Sequence, residues 1–563
     1  MNRSSIIERL KARPEPAVLV IGGGINGISV FRELALNGID VVLAEKADYC
    51  SGASGALSRM VHGGLRYLEN GEFKLVRESL LERDLLLANA PHYVRPLPTT
   101  VPIFGVFSGL TSGALRFLGL SRRQGRRGAV LIKLGLTLYD LFTAGRRVLP
   151  THAFRGRART RKQFPALNPG ARASATYYDA WVSRPERLAL EMLAEGVAAG
   201  GIALNHAQVR QDGSALTLRD TIDGAAISLR PRLVINATGG WIDLTNAAIG
   251  VEAPPLMGGT MGSHLIVDNA ALYEALDGQM IYYENEDGRI CIAFPYLGKV
   301  LVGSTDVRIN DPDAAIASAA EQDYILASLS VVFPGIVIAP SEIVFRFAGV
   351  RPLPASATAV TGRIPRDHYC EVIEGAPPVL CMIGGKWTTF RSFGALAADM
   401  AMDRLGASRH VDTATLAIGG GHAFPDDPAR WVTELANRTG LPGPRLATLL
   451  DRYGTRAADL APVFGADADI ADHSAAELAH LIAHEQVETL ADLLIRRTTI
   501  AIIGAMSLLV IDRSLDLLAT ARKWTPERAA AERQNFLDLL ATRHGLSLET
   551  LTRRDHRTRH EPA

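Results

Sequence analysis

The stretch VLVIGGGINGISVFRELALNGIDVVLAEK, residues 18–46, reads as an apolar strand, a glycine-rich turn, a helix and a second apolar strand. Val18–Ile21 is an unbroken apolar run, the mark of a parallel strand buried on both faces. Ile28, Phe31, Leu34 and Ala35 share one face of the following helix, and Asn37-Gly38 is a natural stop for it. Val41–Ala44 forms the next strand. In Gly22-x-Gly24-x-x-Gly27 the first glycine permits the tight turn and the second lets backbone approach a pyrophosphate. The third lets helix pack on strand, with the helix N-terminus facing the phosphates. Asn26, in the same turn, is a further cofactor-binding candidate. Glu45 ends the second strand, where an acid binds ribose hydroxyls. The layout predicts a dinucleotide site. Glu45 opposes a 2′-phosphate and so disfavours NADP, but the motif does not separate NAD from FAD.

A chain of 563 residues calls for two or three domains. With 47% hydrophobic and 21% charged residues and a net charge of +1, it has the balance of a packed globular protein with no global attraction to nucleic acid. Cys50, Cys291, Cys370 and Cys381 are scattered without metal-ligand spacing, so a reduced, cytosolic compartment and no metal site are expected. Residues 1–16 lack the apolar core of a signal peptide and read as a loose leader. Two apolar stretches, 129–144 and 500–511, are too short or too interrupted to span a membrane.

Strand-like patterns fill residues 203–235, 262–305, 342–350 and 379–383, and a helix is expected from about Lys386 to Gly406. This favours an α/β nucleotide-binding domain interleaved with a β-rich substrate domain. The expected division is 17–92, 176–255 and 345–415 for the first, and 93–175 and 256–344 for the second. After 415 the pattern turns helical. A C-terminal helical domain over 416–547 follows, with a possible capping box at Ser474 and Glu477, a cap at Thr525-Pro526, and a polar tail over 548–563. Between Leu115 and Lys162 there are 13 Arg or Lys and one acid, Asp140, interleaved with apolar segments. That pattern suits contact with an anionic membrane surface, or equally an ordinary basic surface helix.

Further motifs are SGALSRMVHGGLRYLENGEF (54–73), YYDAWVSRPERL (177–188), NATGGW (236–241), GSTDV (303–307), FAGVRPL (347–353) and GGKWTTFR (384–391). In this order after the glycine turn, they make the chain closely resemble the FAD-dependent glycerol-3-phosphate dehydrogenases, membrane-associated flavoenzymes that reduce quinone. The resemblance covers about 17–540, including HEQVETLADLLIRRT (484–498). It implies a glutathione-reductase-like FAD domain, a β-rich substrate domain and a helical C-terminal domain. It also implies non-covalent FAD, a homodimer, and a place on the cytoplasmic face of the inner membrane.

By that resemblance, Ser54 and Ser58 lie along the flavin phosphates or ring, and Ala237 and Gly239 beside the adenosine half. Gly384, Gly385, Lys386, Thr388 and Thr389 face the flavin, whose reduced form gathers negative charge that a helix N-terminus stabilises. Arg66, Tyr67 and Arg366 are expected on the substrate phosphate, and Arg351 and Lys386 on the glycerol hydroxyls. Oxidising a secondary alcohol needs a base for the hydroxyl proton while hydride leaves carbon. His62 and His264 are the candidates, with Ser304 or Thr305 as hydrogen-bonding partners of the substrate. Asp179, Trp181 and Arg187 read as structural supports.

The sequence departs from the family pattern at Arg59 and Met261, where lysine is usual, and in a long basic connection over 107–128. These leave FAD in place and keep another polyol phosphate, such as erythritol phosphate, open as substrate; oxygen as acceptor and a flavoprotein scaffold without enzymatic activity are further alternatives.

Overall fold

The computed structural model describes residues 3–64, 72–105, 133, 135–137, 139–140, 148–355 and 367–558. The opening stretch forms the centre of a six-stranded sheet. From edge to edge the strands are His368–Ile373, Val379–Gly384, Leu233–Asn236, Val18–Ile21, Val41–Ala44 and Ile202–Leu204. All pairs are parallel except the first. Side chains alternate across a strand. Val18 and Val20 therefore face helices Ile25–Leu36, Pro185–Ala198 and Phe390–Leu405, packing with Phe31, Leu193 and Phe393. Leu19 and Ile21 point the other way, against a three-stranded antiparallel sheet over residues 207–229.

The segment expected to be a loose leader also belongs to this second layer. Arg3–Lys11 is a helix that buries Ile6, Ile7 and Leu10 with the sheet residues. Arg3 bonds both carboxylate oxygens of Asp220 at 2.7 and 2.8 Å and the carbonyl of Asn205 at 2.8 Å. Its anchors lie about two hundred residues away, which is why local composition did not reveal them.

The second sheet follows the order Val307–Arg308, Thr260–Val267, Lys299–Gly303, Ile290–Tyr296, Met280–Glu284, Val94–Ile103, Ala173–Val182 and Met60–Val61. Ile343–Arg351 pairs with Thr260–Val267, and Ala153–Gly156 with Ala173–Val182. Residues 60–61, 176–182 and 345–351, expected in the nucleotide-binding domain, are thus strands of this sheet. Their alternation fits either sheet, and only pairing distinguishes them.

The C-terminal helices share a core with this second sheet: Leu449, Leu481 and Leu540 are continuous with Tyr296, Phe345 and Phe347. Ser474 caps its helix by accepting the Glu477 N–H, but the Glu477 carboxylate turns inward to Arg445, Arg452 and the Tyr453 hydroxyl. Thr525 caps the helix Pro526–His544 as expected. The expected polar tail instead continues as the helix Leu548–Thr558, which buries Leu551. The four cysteines are unpaired. Among the described residues no helix is long and apolar enough to cross a membrane. The basic connection 107–128 lies outside the described residues.

Candidate active site

The glycine turn forms one wall of a cavity of about 720 Å³ that also takes in Glu45, Ser54, Ala237 and Gly239. A side chain on Gly27 would bring its Cβ within 1.9 Å of the Gly22 carbonyl oxygen, so helix and strand meet only because it is glycine. Gly22, at φ +109°, would clash with the Ala237 carbonyl oxygen at 2.8 Å. Gly24 is the N-cap of Ile25–Leu36 and has no side chain to cover the first-turn N–H groups, of which Ile25 N–H donates to Ser54 Oγ at 2.9 Å. Such a terminus receives phosphate. The Glu45 carboxylate accepts the N–H groups of Gly23 at 2.6 Å and Ala47 at 2.8 Å. Burial raises its pKa. Each oxygen keeps a lone pair for a ribose hydroxyl.

A second cavity, of about 220 Å³, adjoins the first, and Asn26, Ser54, Gly349 and Val350 line both. The buried Asn26 Oδ1 has no hydrogen-bond partner among the described residues. Two adjoining cavities that share the helix terminus at Ile25 and the orphaned Asn26 Oδ1 fit an extended dinucleotide such as FAD. Gly384 and Gly385, at φ +77° and +92°, bend the chain at the far side. Lys386 then begins the turn Trp387–Thr389 that leads into Phe390–Leu405.

His62, Ser58, His264, Ser304, Arg351, Lys386 and Thr388 all line this second cavity. The His62 N–H donates to Thr388 Oγ1 at 3.2 Å, and the next N–H, of Gly63, donates to Asp179 at 2.9 Å. Asp179 also takes the Tyr139 hydroxyl at 2.6 Å, so it steadies the loop carrying His62. His264 stands between Gly303 and Phe347 in strand register. A Cβ on Gly303 would fall 2.3 Å from the His264 ring. Neither ring nitrogen of His264 has a partner among the described residues. Burial, then the charges of Arg351 and Arg59, lower its pKa to about 3, so the imidazole is neutral.

Arg351 donates to Asp306 at 2.9 Å, to the Thr305 carbonyl at 3.0 Å and to Ser304 Oγ at 3.3 Å. Gly262 makes room for this, since a Cβ there would lie 2.1 Å from the guanidinium. Lys386 Nζ lies 3.4 Å from Ser79 Oγ.

Two expected residues stand elsewhere. Thr305 is buried off the cavity, its hydroxyl donating to Glu321 at 2.6 Å and accepting the Ser263 N–H at 2.8 Å. Thr389 is buried behind the turn and does not line either cavity. Arg66, Tyr67 and Arg366 lie outside the described residues. Sequence reasoning missed Asp306, although it stands inside the quoted GSTDV motif. It also gave no site role to the cavity residues supplied by the helical domain: Arg496 stands inside the quoted HEQVETLADLLIRRT stretch, and no motif marks Arg543.

Residues 17–391 match the family described as FAD dependent oxidoreductase, and residues 411–529 that described as the C-terminal domain of alpha-glycerophosphate oxidase. The chain is 32% identical over 515 residues to a glycerol-3-phosphate dehydrogenase of Synechocystis sp., covering 86% of this chain and 89% of that one. It is 30% identical over 532 residues to a D-erythritol 1-phosphate dehydrogenase of Brucella abortus, covering 86% and 95%. The solved structure of a glycerol-3-phosphate dehydrogenase from Bacillus halodurans complexed with FAD shares the fold at a TM-score of 0.74 and 22% identity, over 96% of this chain and 97% of that one. Since the match runs through both the dinucleotide half and the helical domain, the chain belongs to the FAD-dependent glycerol-3-phosphate dehydrogenase family.

Proposed function

We propose that the protein oxidises sn-glycerol 3-phosphate to dihydroxyacetone phosphate and delivers the electrons to a quinone. The observation that carries this reading is the gathering of His62, His264, Arg351 and Lys386 around a small cavity that adjoins the dinucleotide cavity. FAD, when bound, supplies the hydride acceptor. His264, neutral and with both ring nitrogens open, takes the C2 hydroxyl proton, and His62, lining the same cavity, holds the hydroxyls. Arg351, fixed by Asp306, and Lys386 offset the negative charge that develops on oxygen as the proton leaves. Ser304 contributes a hydrogen bond. Arg66, Tyr67 and Arg366 take the phosphate, an assignment made by motif. Arginine suits that task because its planar fork meets phosphate oxygens in pairs.

Attachment to the cytoplasmic face of the inner membrane is supported by the basic, apolar-interleaved stretch 115–162. Assembly as a homodimer rests on the family resemblance alone.

Anaerobic mixing of the purified protein with glycerol 3-phosphate, followed by flavin absorbance, tests cofactor and substrate together. Bleaching within the turnover time is expected. Faster bleaching with D-erythritol 1-phosphate would transfer the substrate assignment to the longer polyol phosphate, the substrate in the Brucella relative's name. Hydrogen peroxide formed at the full rate in air would exclude quinone as the required acceptor.

A further inference from the structure

One wall of the dinucleotide cavity comes from neither the nucleotide-binding nor the substrate domain. Ile495, Arg496, Thr498, Ile502, Arg543 and His544 of the helical domain face into it. That domain is fastened to the cavity at two places of different character.

The inner fastening is buried. Asp48 lies in the loop just after Glu45, and Arg497 grips both its oxygens at 2.6 and 2.8 Å. Arg496 adds a bond to Asp48 at 2.6 Å and another to Asp492 at 2.9 Å. Asn205 donates to Asp48 at 2.8 Å. Asp48, His206 and Asp492 have the composition of a metal site, but the two arginines already match their charge. Removing one partner of such a buried pair leaves an uncompensated charge. The position of the Glu45 loop is thereby tied to the helical domain.

The outer fastening is exposed. Asp313 Oδ1 accepts from Trp241 Nε1 at 2.8 Å and from Lys46 Nζ at 3.1 Å, while its carbonyl accepts from Arg543 at 3.1 Å. Lys46 also stands 4.7 Å above the Trp241 ring. Three domains thus converge on one aspartate at the cavity mouth. The Asp313 and Lys46 side chains are 61% and 44% exposed, and pairs so exposed are weak. They join the domains at the cavity rim by contacts weak enough to open.

We propose that the helical domain retains FAD: the Asp48 anchor fixes the loop that meets the ribose, and the Asp313 latch must open before the cofactor leaves. This rests on the FAD assignment. The test measures FAD release from the purified holoenzyme, as flavin fluorescence recovered after dilution. Arg543→Ala and Asp313→Ala are each expected to speed release by about threefold. Arg430→Ala, which removes an exposed pair with Glu434 in the same domain, leaves release unchanged. Arg497→Lys keeps the charge and loses the fork, and is expected to weaken FAD binding about tenfold in the folded protein. Wild-type release from both latch variants overturns the latch. An Arg497→Lys protein that melts lower but binds FAD with wild-type affinity overturns the anchor. Protein that purifies without flavin contradicts the cofactor assignment instead.

Discussion

The ring of Phe347 lies nearly parallel to that of His264, 14° apart in plane and 5.2 Å between centroids. Phe347 is buried in the core shared with the helical domain, so it gives the imidazole a rigid backing. Phe347→Leu frees the ring to tilt. A loss of about 10²-fold in the rate of flavin reduction is expected, with little change in KM, because misplacement of a reacting group by about 1 Å costs that much. Stopped-flow reduction checks it.

Replacing His264 by Asn removes the proposed base outright. Flavin reduction is expected to slow by about 10²–10⁴-fold while FAD remains bound, as shown by an unchanged flavin spectrum. Arg351→Ala is expected to act similarly, since it also frees Asp306. Loss of flavin from both variants would recast them as structural residues.

The pH dependence of His264 has a definite sign. Its folded pKa is lowered from 6.5 to about 3 by burial first, then by the charges of Arg351 and Arg59. Between those values the unfolded chain binds the extra proton, so stability rises with pH. The contribution is full above 6.5 and is lost as pH falls toward 3. Accordingly, kcat/KM shows no acid limb from this residue near pH 6.5. Such a limb in the wild type, absent from the residual activity of His264→Asn, would contradict the lowered pKa while keeping His264 as the base.

Gly27→Ala is expected to yield protein without FAD. The added methyl cannot coexist with the Gly22 carbonyl oxygen at 1.9 Å, so the turn must open. The ratio of flavin to protein absorbance reads the effect directly.

In the helical domain, Glu477→Gln is expected to destabilise by about 3–5 kcal/mol, the cost of breaking a buried ionic group. Arg445 and Arg452 would keep their charges without a carboxylate between them. The Glu477 pKa is lowered to about 2: burial opposes the shift, and the charges of His473, Arg452 and Arg445 override it. Its stabilisation is therefore present above about pH 4.5 and fades as pH falls toward 2. Denaturant melts at pH 7 and pH 3 measure both effects.

The βαβ unit was legible because its signal is local: periodicity, three glycines and an acid within one short stretch. The helix after Lys386 was legible for the same reason, ending at Gly406 in the left-handed region at φ +69°. Long-range pairing was not legible. Nothing near Arg3 announces Asp220, and nothing near residue 60 announces that it pairs with Trp181. Within the candidate site, residues inside compact motifs were found. Thr305 was placed in the substrate cavity because its motif does not reveal which way the side chain turns. Arg497 and Arg543 were missed because their partners lie in other domains.

The central strand Val18–Ile21 is flanked on one side by Leu233–Asn236, and the sheet closes only with Val379–Gly384. During synthesis, this strand waits for more than two hundred residues before Leu233–Asn236 exists. It waits longer still for the turn at Gly384 and the anchor at Arg497. Contacts so distant in sequence form late and slowly, and apolar strands awaiting partners are exposed to aggregation. A nascent chain that has not yet reached Arg497 therefore lacks part of the pocket, and cofactor loading becomes a late event in its maturation.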